Sequence, residues 1–205
     1  MLPDRDAELV QIVEASLNDA TRRSTKSDST SWLSCAPGCT ECCHGVFRIT
    51  ALDAERLRAG LRSLEAQDPP RAEAIYKRAE NIAYVLRPDF PGDPTTGVLS
   101  GDQDRWEVFS DLPQADAACP VLDPVTGRCE LYTSRPLTCR IFGPPVQNQD
   151  GIGMCHLCYA GATEQEILQG ELHLNHQRLE EMLDAQLPEG DTIITWAVLT
   201  DGRRS

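Results

Sequence analysis

Apolar residues recur at helical spacing in four stretches of the chain. In the first, about residues 3–20, Leu9, Val13 and Leu17 fall on one helical face. Two further stretches, about 50–64 and 70–87, carry leucine, isoleucine and alanine at similar intervals and predict a helical hairpin. The fourth opens at Thr163 and Glu166, which have the spacing of a capping box, and predicts a helix to about residue 185.

Shorter stretches predict β structure. Residues 105–109 (RWEVF) and 192–199 (TIITWAVL) are rich in β-branched and aromatic residues, so each is predicted to be a strand. The segments CPVL (119–122) and RCELY (128–132) flank DPVTG, which is typical of a turn joining two short strands. The chain is therefore predicted to be mostly α with short β-hairpin elements, a small irregular α+β domain.

Composition divides the chain further. Residues 22–31 are almost without apolar side chains and are predicted to be a linker after an N-terminal helix, residues 1–21. A cysteine-rich domain is expected over 32–162, with the helical hairpin as an insert at about 50–87. Residues 163–205 are expected to pack on that domain as a helix and a strand.

Charge and hydropathy narrow the functional classes. The net charge of -13 disfavours binding to nucleic acid through a basic face, although a basic protein partner or substrate stays open. The sequence contains no apolar run of about 18 residues, so no membrane span is predicted. The acidic N-terminal segment does not resemble a secretory signal. We therefore expect a reducing, cytoplasmic setting, where clustered thiols are more often metal ligands or catalytic groups than disulfides.

The nine cysteines are the strongest functional signal in the chain. Soft thiolates favour zinc, copper(I) or iron–sulfur clusters over calcium and magnesium. Two C-x-x-C pairs suit metal ligation, and C-x-x-x-C-x-x-C at residues 35–42 is a spacing that holds four-iron clusters in radical enzymes. The candidate ligands fall into an N-terminal set, Cys35, Cys39, Cys42 and Cys43, and a C-terminal set, Cys119, Cys129, Cys139, Cys155 and Cys158.

The number of centres stays open at this stage. Adjacent Cys42 and Cys43 are expected to point in different directions, so binding one mononuclear site would be strained. One four-ligand site would leave five thiols over, which favours two centres or one centre with a reactive thiol pair. His44 and His156 each follow a cysteine and are further candidate ligands.

Charged residues lie near the candidate metal ligands in the sequence. Four thiolates around Zn²⁺ or an oxidised four-iron cluster leave a charge of about -2, which needs compensation when buried. Arg135 and Arg140 flank Cys139, and we expect them to offset this charge or donate hydrogen bonds to sulfur. His173 and His176 lie in the last predicted helix with Glu180, where a boundary position is favoured over a metal site.

The cysteine segments match a known pattern. They comprise Cys39, Cys42 and Cys43, then Cys119, Pro120 and Leu122, then Cys129, Tyr132, Arg135, Pro136, Cys139, Arg140 and Phe142. Over residues 35–158 the chain resembles the bacterial cysteine-cluster family described as zinc- or iron-chelating domains. The resemblance implies metal binding, with Tyr132 beside the centre. Some relatives are linked to flagellin lysine N-methylation, so it also implies a possible protein-modifying enzyme.

The leading hypothesis is a cytoplasmic metal-binding protein in which N-terminal and C-terminal cysteines converge on one or two thiolate centres. We favour an iron–sulfur cluster, 4Fe–4S in type, with a redox or protein-modifying role. The alternatives are a zinc-binding structural or interaction protein and a lysine N-methylase-like enzyme. The sequence leaves the substrate, the reaction and the oligomeric state open.

Overall fold

The computed structural model describes residues 1–26, 28–36, 38–148, 151–187 and 190–200. Contacts divide the chain into two compact units that interleave along the sequence. The hairpin unit contains Met1–Pro3, Gly38–Pro136 and the described residues from Asp184 onward. The α1 unit contains the described residues of Asp4–Pro37 and Leu137–Leu183.

Helices dominate both units, and the strands are two or three residues long, which confirms the predicted mostly α architecture with short antiparallel pairs. The helices are α1 (Asp6–Arg23), α2 (Ala51–Gln67), α3 (Pro69–Leu86), α4 (Gln103–Ser110), α5 (Leu137–Ile141), α6 (Glu164–Gln169), α7 (Gln177–Asp184) and α8 (Ile194–Leu199). The strands are β1 (Arg48–Ile49), β2 (Gly92–Asp93), β3 (Val98–Leu99), β4 (Val146–Asn148), β5 (Gly151–Gly153) and β6 (Thr192–Ile193), paired β1 with β6, β2 with β3 and β4 with β5.

The helical hairpin of α2 and α3 forms where the sequence predicts it. The Thr50 hydroxyl accepts the Asp53 N–H at 3.2 Å and begins α2, and the Asp68 carboxylate accepts the Arg71 N–H at 3.2 Å and begins α3. Two prolines occupy the first turn of α3, where a missing N–H costs nothing. Most of the apolar face of the hairpin is buried, including Leu57, Leu61 and Ile75, and α8 packs against both helices.

Two of the strand predictions are wrong. Residues 105–109 belong to helix α4, because Asp102 caps its N-terminus and accepts the Arg105 N–H at 3.1 Å. Residues 194–199 form α8 rather than continuing the strand, and five of its residues are buried. Trp196 stacks on Phe90 with ring centroids 4.2 Å apart, and its indole N–H donates to the Pro94 carbonyl at 3.0 Å. A short apolar run buried on all sides fits a helix as well as a strand, and tertiary packing selects the helix here.

In the α1 unit, the predicted C-terminal helix is interrupted. The capping box of Thr163 and Glu166 is present and begins α6, but α6 ends at Gln169 and α7 begins only at Gln177. The Arg23 guanidinium, at the end of α1, donates to the carbonyls of Gln169 and Glu171. In a continuous helix these two carbonyls would accept backbone N–H groups, but here they accept the Arg23 side chain. The prediction of one helix to residue 185 is therefore wrong between α6 and α7.

Among the described helices, none is both long enough and apolar enough to cross a membrane.

Candidate metal centres

The structure sorts the nine cysteines differently from their order along the chain. Five lie in the hairpin unit and four in the α1 unit, with the boundary falling between Cys35 and Cys39 and again between Cys129 and Cys139. All nine are thiols rather than halves of disulfides. The hairpin-unit set is Cys39, Cys42, Cys43, Cys119 and Cys129; the α1-unit set is Cys35, Cys139, Cys155 and Cys158.

In the hairpin unit, a 3-10 turn at Glu41–Cys43 presents two neighbouring thiols. The Cys43 N–H donates to the Thr40 carbonyl at 2.8 Å and closes this turn. The turn leaves the Cys42 and Cys43 thiols close enough to shift each other's pKa, although adjacent residues were expected to point apart. Both sulfurs can therefore face one centre.

Backbone pairing joins this turn to the distant cysteine segment. The Cys119 N–H donates to the Cys43 carbonyl at 2.7 Å, and the Gly45 N–H donates to the Ala117 carbonyl at 3.1 Å. The two pieces are thus held side by side although 76 positions separate Cys43 from Cys119. The α2–α3 hairpin occupies the sequence between them, so its folding brings the two pieces together.

The loop from Cys119 to Cys129 is a compact turn. The Gly127 N–H donates to the Asp123 carbonyl at 2.9 Å, and Gly127 adopts a φ of 64°, which glycine tolerates. The predicted turn is present, and its flanking segments pair antiparallel at the bridge of Leu122 with Cys129, where the Glu130 N–H donates to the Val121 carbonyl at 2.8 Å. This pairing does not extend into two full strands. The Leu122 N–H instead folds back to the Cys119 carbonyl at 3.0 Å.

The surroundings of these thiols shift their pKa values in opposite directions. A hydrogen bond from the Cys43 thiol lowers the pKa of Cys42 to about 6, and the positive charge of Arg135 lowers it further. The same bond raises the pKa of Cys43. Burial raises the pKa of Cys119 to about 12 and also raises the pKa of Cys129. A bound cation would reverse this burial effect, because metal ligation requires and stabilises the thiolate.

Arg135, which the sequence places near Cys139, lies beside this hairpin-unit set instead and sits over the Tyr132 ring with its guanidinium carbon 3.8 Å from the centroid. Its charge lowers the pKa of both Cys42 and Cys129, although burial leaves the pKa of Cys129 raised overall. Tyr132 itself is 60% exposed, so it supports the arginine from the solvent side.

The sequence reasoning missed a second group of charges on α3. Arg78 donates through Nε to the Pro120 carbonyl at 2.8 Å and pairs with the Glu130 carboxylate, which also binds Arg71. The Glu130 side chain is only 5% exposed. Pro120 and Glu130 directly follow Cys119 and Cys129, so Arg78 ties both ligand segments to the hairpin. The spacing of Arg71 and Arg78, two helical turns apart, was the available signal.

In the α1 unit, the Sγ atoms of Cys35 and Cys158 are 3.9 Å apart. Cys155 and Cys158 are buried and close a tight turn, with the Cys158 N–H donating to the Cys155 carbonyl at 2.9 Å. Burial raises the pKa of Cys155, and the neighbouring Cys158 thiol raises it further. Cys139 lies on α5, and the next residue, Arg140, pairs with Glu14 of α1 at 2.7 Å.

The histidines contribute less. His44 and His156 are exposed. His173 precedes α7 and lies 3.8 Å from Glu171, whereas His176 is buried rather than at a boundary, and its Nε2 lies 3.2 Å from Glu180. Within the described ranges, no three His, Cys, Asp or Glu side chains are already arranged as a closed ligand group. In each unit the candidate thiols therefore do not yet form a complete ligand set, and metal binding would have to bring their sulfurs closer together.

Comparison with known proteins agrees with this chemistry. The model of the CxxCxxCC family, described as "Putative zinc- or iron-chelating domain", matches residues 34–159, a range that contains all nine cysteines. No curated protein and no solved structure matches the chain.

Proposed function

This chain belongs to the CxxCxxCC family of zinc- or iron-chelating domains, and from that premise we propose that its hairpin unit binds an iron–sulfur cluster of the four-iron type. The observation that carries the proposal is the pairing of Cys43 with Cys119, whose backbone hydrogen bond of 2.7 Å joins the two cysteine segments. Thiolates from three places in the sequence then surround one region of this unit.

The donor chemistry fits such a cluster. Its ligands would come from Cys42, Cys43, Cys119 and Cys129, with Cys39 in the same C-x-x-C segment. Adjacent thiolates can bind different irons of one cluster, which gives the Cys42 and Cys43 sulfurs a role without forcing both onto one ion. When bound, the cluster supplies one-electron transfer at a potential set by its charge, its exposure and the hydrogen bonds to its sulfurs.

The protein's part is to place and neutralise these thiolates. Arg135 provides positive charge beside Cys42 and Cys129, and Arg78 acts in the same direction on Cys119. Both lie in a chain that is short of cations, with 19 basic against 32 acidic residues. These two cations therefore lower the cost of burying an anionic centre in this unit.

Zinc is the second candidate for the hairpin unit. The proximity of the Cys42 and Cys43 thiols in one 3-10 turn favours it, because ligands of one mononuclear ion lie close together. A zinc centre would make this unit a structural or interaction module.

Anaerobic purification separates the two. We expect a coloured protein containing about four irons and four acid-labile sulfides per chain. The Cys119→Ser variant should lose the colour, the iron and the sulfide together, whereas Cys155→Ser in the other unit should retain them. Colourless protein with stoichiometric zinc and no sulfide in the wild type would refute the cluster.

A protein-modifying role of the lysine N-methylase type rests on the family resemblance alone. A methyl-transfer assay on lysine-rich peptides tests it, with metal-depleted protein as the control. Turnover that requires the bound centre would support an enzyme; the absence of product with fully loaded protein would favour a redox or structural role.

A further inference from the structure

We propose that the α1 unit carries a separate mononuclear site for a zinc ion, ligated by the thiolates of Cys35, Cys139, Cys155 and Cys158. This site is independent of the cluster proposed for the hairpin unit. It uses the four cysteines that the hairpin unit does not contain.

The sulfur separation carries the proposal. Zinc–thiolate bonds are about 2.3 Å long, so the sulfurs at two corners of a tetrahedral site lie about 3.8 Å apart. The Cys35 and Cys158 sulfurs are separated by 3.9 Å, and a backbone hydrogen bond of 2.9 Å from the Cys158 N–H to the Cys155 carbonyl holds the third cysteine in the same turn. Ligands of a four-iron cluster bind different irons and lie farther apart, so this spacing favours a single ion.

The backbone is shaped to keep these sulfurs together. Gly143 adopts a φ of 131°, and a Cβ atom added there would lie 2.8 Å from the Cys35 sulfur. The Gly143 carbonyl also accepts the Cys155 N–H at 3.2 Å. The absent side chain at this position therefore makes room for one candidate ligand, while the carbonyl orients the turn that bears two others.

Residues next to the ligands are fixed as well. Tyr159 follows Cys158 with a φ of 56°, unusual for a residue other than glycine, and its N–H donates to the Trp32 carbonyl at 2.9 Å. Its ring stacks on Trp32 and its hydroxyl lies 2.5 Å from the Ser24 hydroxyl, which is fully buried. The segment of Cys35 and the turn of Cys155 and Cys158 are thus locked to each other.

The fourth ligand of the proposed site is Cys139, which lies on α5. This short helix packs against α1, and the pairing of Arg140 with Glu14 at 2.7 Å holds the helix beside Cys139 in place. Cys139 lies four residues before Gly143, at the other end of the segment that contacts Cys35 and Cys155. Four thiolates leave no open position for substrate, which is typical of a structural zinc site, and exposed Cys35 provides a route for the ion from solvent.

Metal analysis of the full chain tests the site. Protein produced with both iron and zinc available should contain one zinc per chain in addition to any iron. The Cys158→Ser variant should lose this zinc and keep the iron and sulfide, and Cys119→Ser should do the reverse. If the hairpin unit binds zinc instead, the wild type should hold two zinc ions and each variant should lose one, so failure of the cluster proposal would leave this one testable.

Two further measurements guard against variants that misfold. X-ray absorption at the zinc edge of the wild-type protein should show four sulfur neighbours at about 2.3 Å. Gly143→Ala, which retains every cysteine, should weaken zinc retention against a chelator at least tenfold, with Gly161→Ala, whose Cβ meets no atom within 4 Å and whose φ is also positive, as the matched control. Wild-type protein without zinc, zinc with fewer than four sulfurs, or a Cys158→Ser protein that retains as much zinc as the wild type would overturn the proposal.

Discussion

Replacing Arg78 by alanine tests whether the helical hairpin positions the ligand segments of the hairpin unit. This guanidinium on α3 donates to the Pro120 carbonyl at 2.8 Å and pairs with the Glu130 carboxylate. Because these two residues directly follow Cys119 and Cys129, one side chain fixes both segments. Its loss should loosen them before it unfolds the hairpin.

The structure sets the magnitude. A hydrogen bond that involves a charged group contributes about 1.5–3 kcal/mol, and a buried carboxylate that loses a partner adds a desolvation cost. Arg78 is 26% exposed and Glu130 keeps Arg71, so we discount the sum to about 2–3 kcal/mol of the free energy of unfolding. If about half of this reappears as the cost of ordering the two segments around a metal, metal affinity falls about tenfold, since 1.4 kcal/mol corresponds to one decade.

The assay measures metal release from purified protein against a competing chelator, followed by the absorbance of the centre or a metal-sensitive dye. Arg71→Ala is the matched control, because Arg71 binds the same carboxylate but is 46% exposed, and should change retention less than threefold. Arg78→Lys retains the charge near Cys119 without the planar fork that reaches both partners, so it should resemble the alanine variant.

Equal metal release from the Arg78→Ala and Arg71→Ala proteins would refute this reasoning. Reduced stability of Arg78→Ala with unchanged metal retention would do so as well, since the arginine would then support only the fold.

Three other outcomes follow from the contacts. Gly97→Ala should lower the free energy of unfolding by about 2–4 kcal/mol, because residue 97 has a φ of 76° and the new Cβ would lie 2.5 Å from the Trp196 side chain. An unchanged midpoint of chemical denaturation would contradict this. Thr163→Ala should remove about 1 kcal/mol from the N-terminus of α6, seen as faster amide exchange confined to that helix. In reduced, metal-free protein, the rate of Cys42 alkylation should rise with pH to a plateau with a midpoint near 6, because only the thiolate reacts. Cys119, with its pKa of about 12, should stay unreactive at neutral pH. Peptide mass spectrometry that finds equal labelling of both cysteines would count against the assigned environments.

Local signals were sufficient for several elements. Thr50 and Thr163 cap the helices that their sequence neighbourhoods predict, because a cap is a contact between residues three positions apart. The periodicity of α2 and α3 predicted their buried face, since amphipathic spacing is a property of one segment. The prediction failed at residues 170–176, where Arg23 takes carbonyls at the end of α6, and at α8, where burial around Trp196 overrides β propensity.

By itself, the sequence determined that this protein is a mostly α, cysteine-rich metal-binding protein, because residue type, short spacings and family pattern are all written locally. Only the tertiary structure decided how the thiols are shared. Cys35 and Cys39 are four residues apart yet belong to different units, while Cys43 and Cys119 are distant in sequence and joined by a hydrogen bond. The physical reason is that ligand sets are assembled by chain segments that packing brings together: α3 holds one set through Arg78, and the contacts of Gly143 and Tyr159 hold the other. Sequence order carries no record of either arrangement.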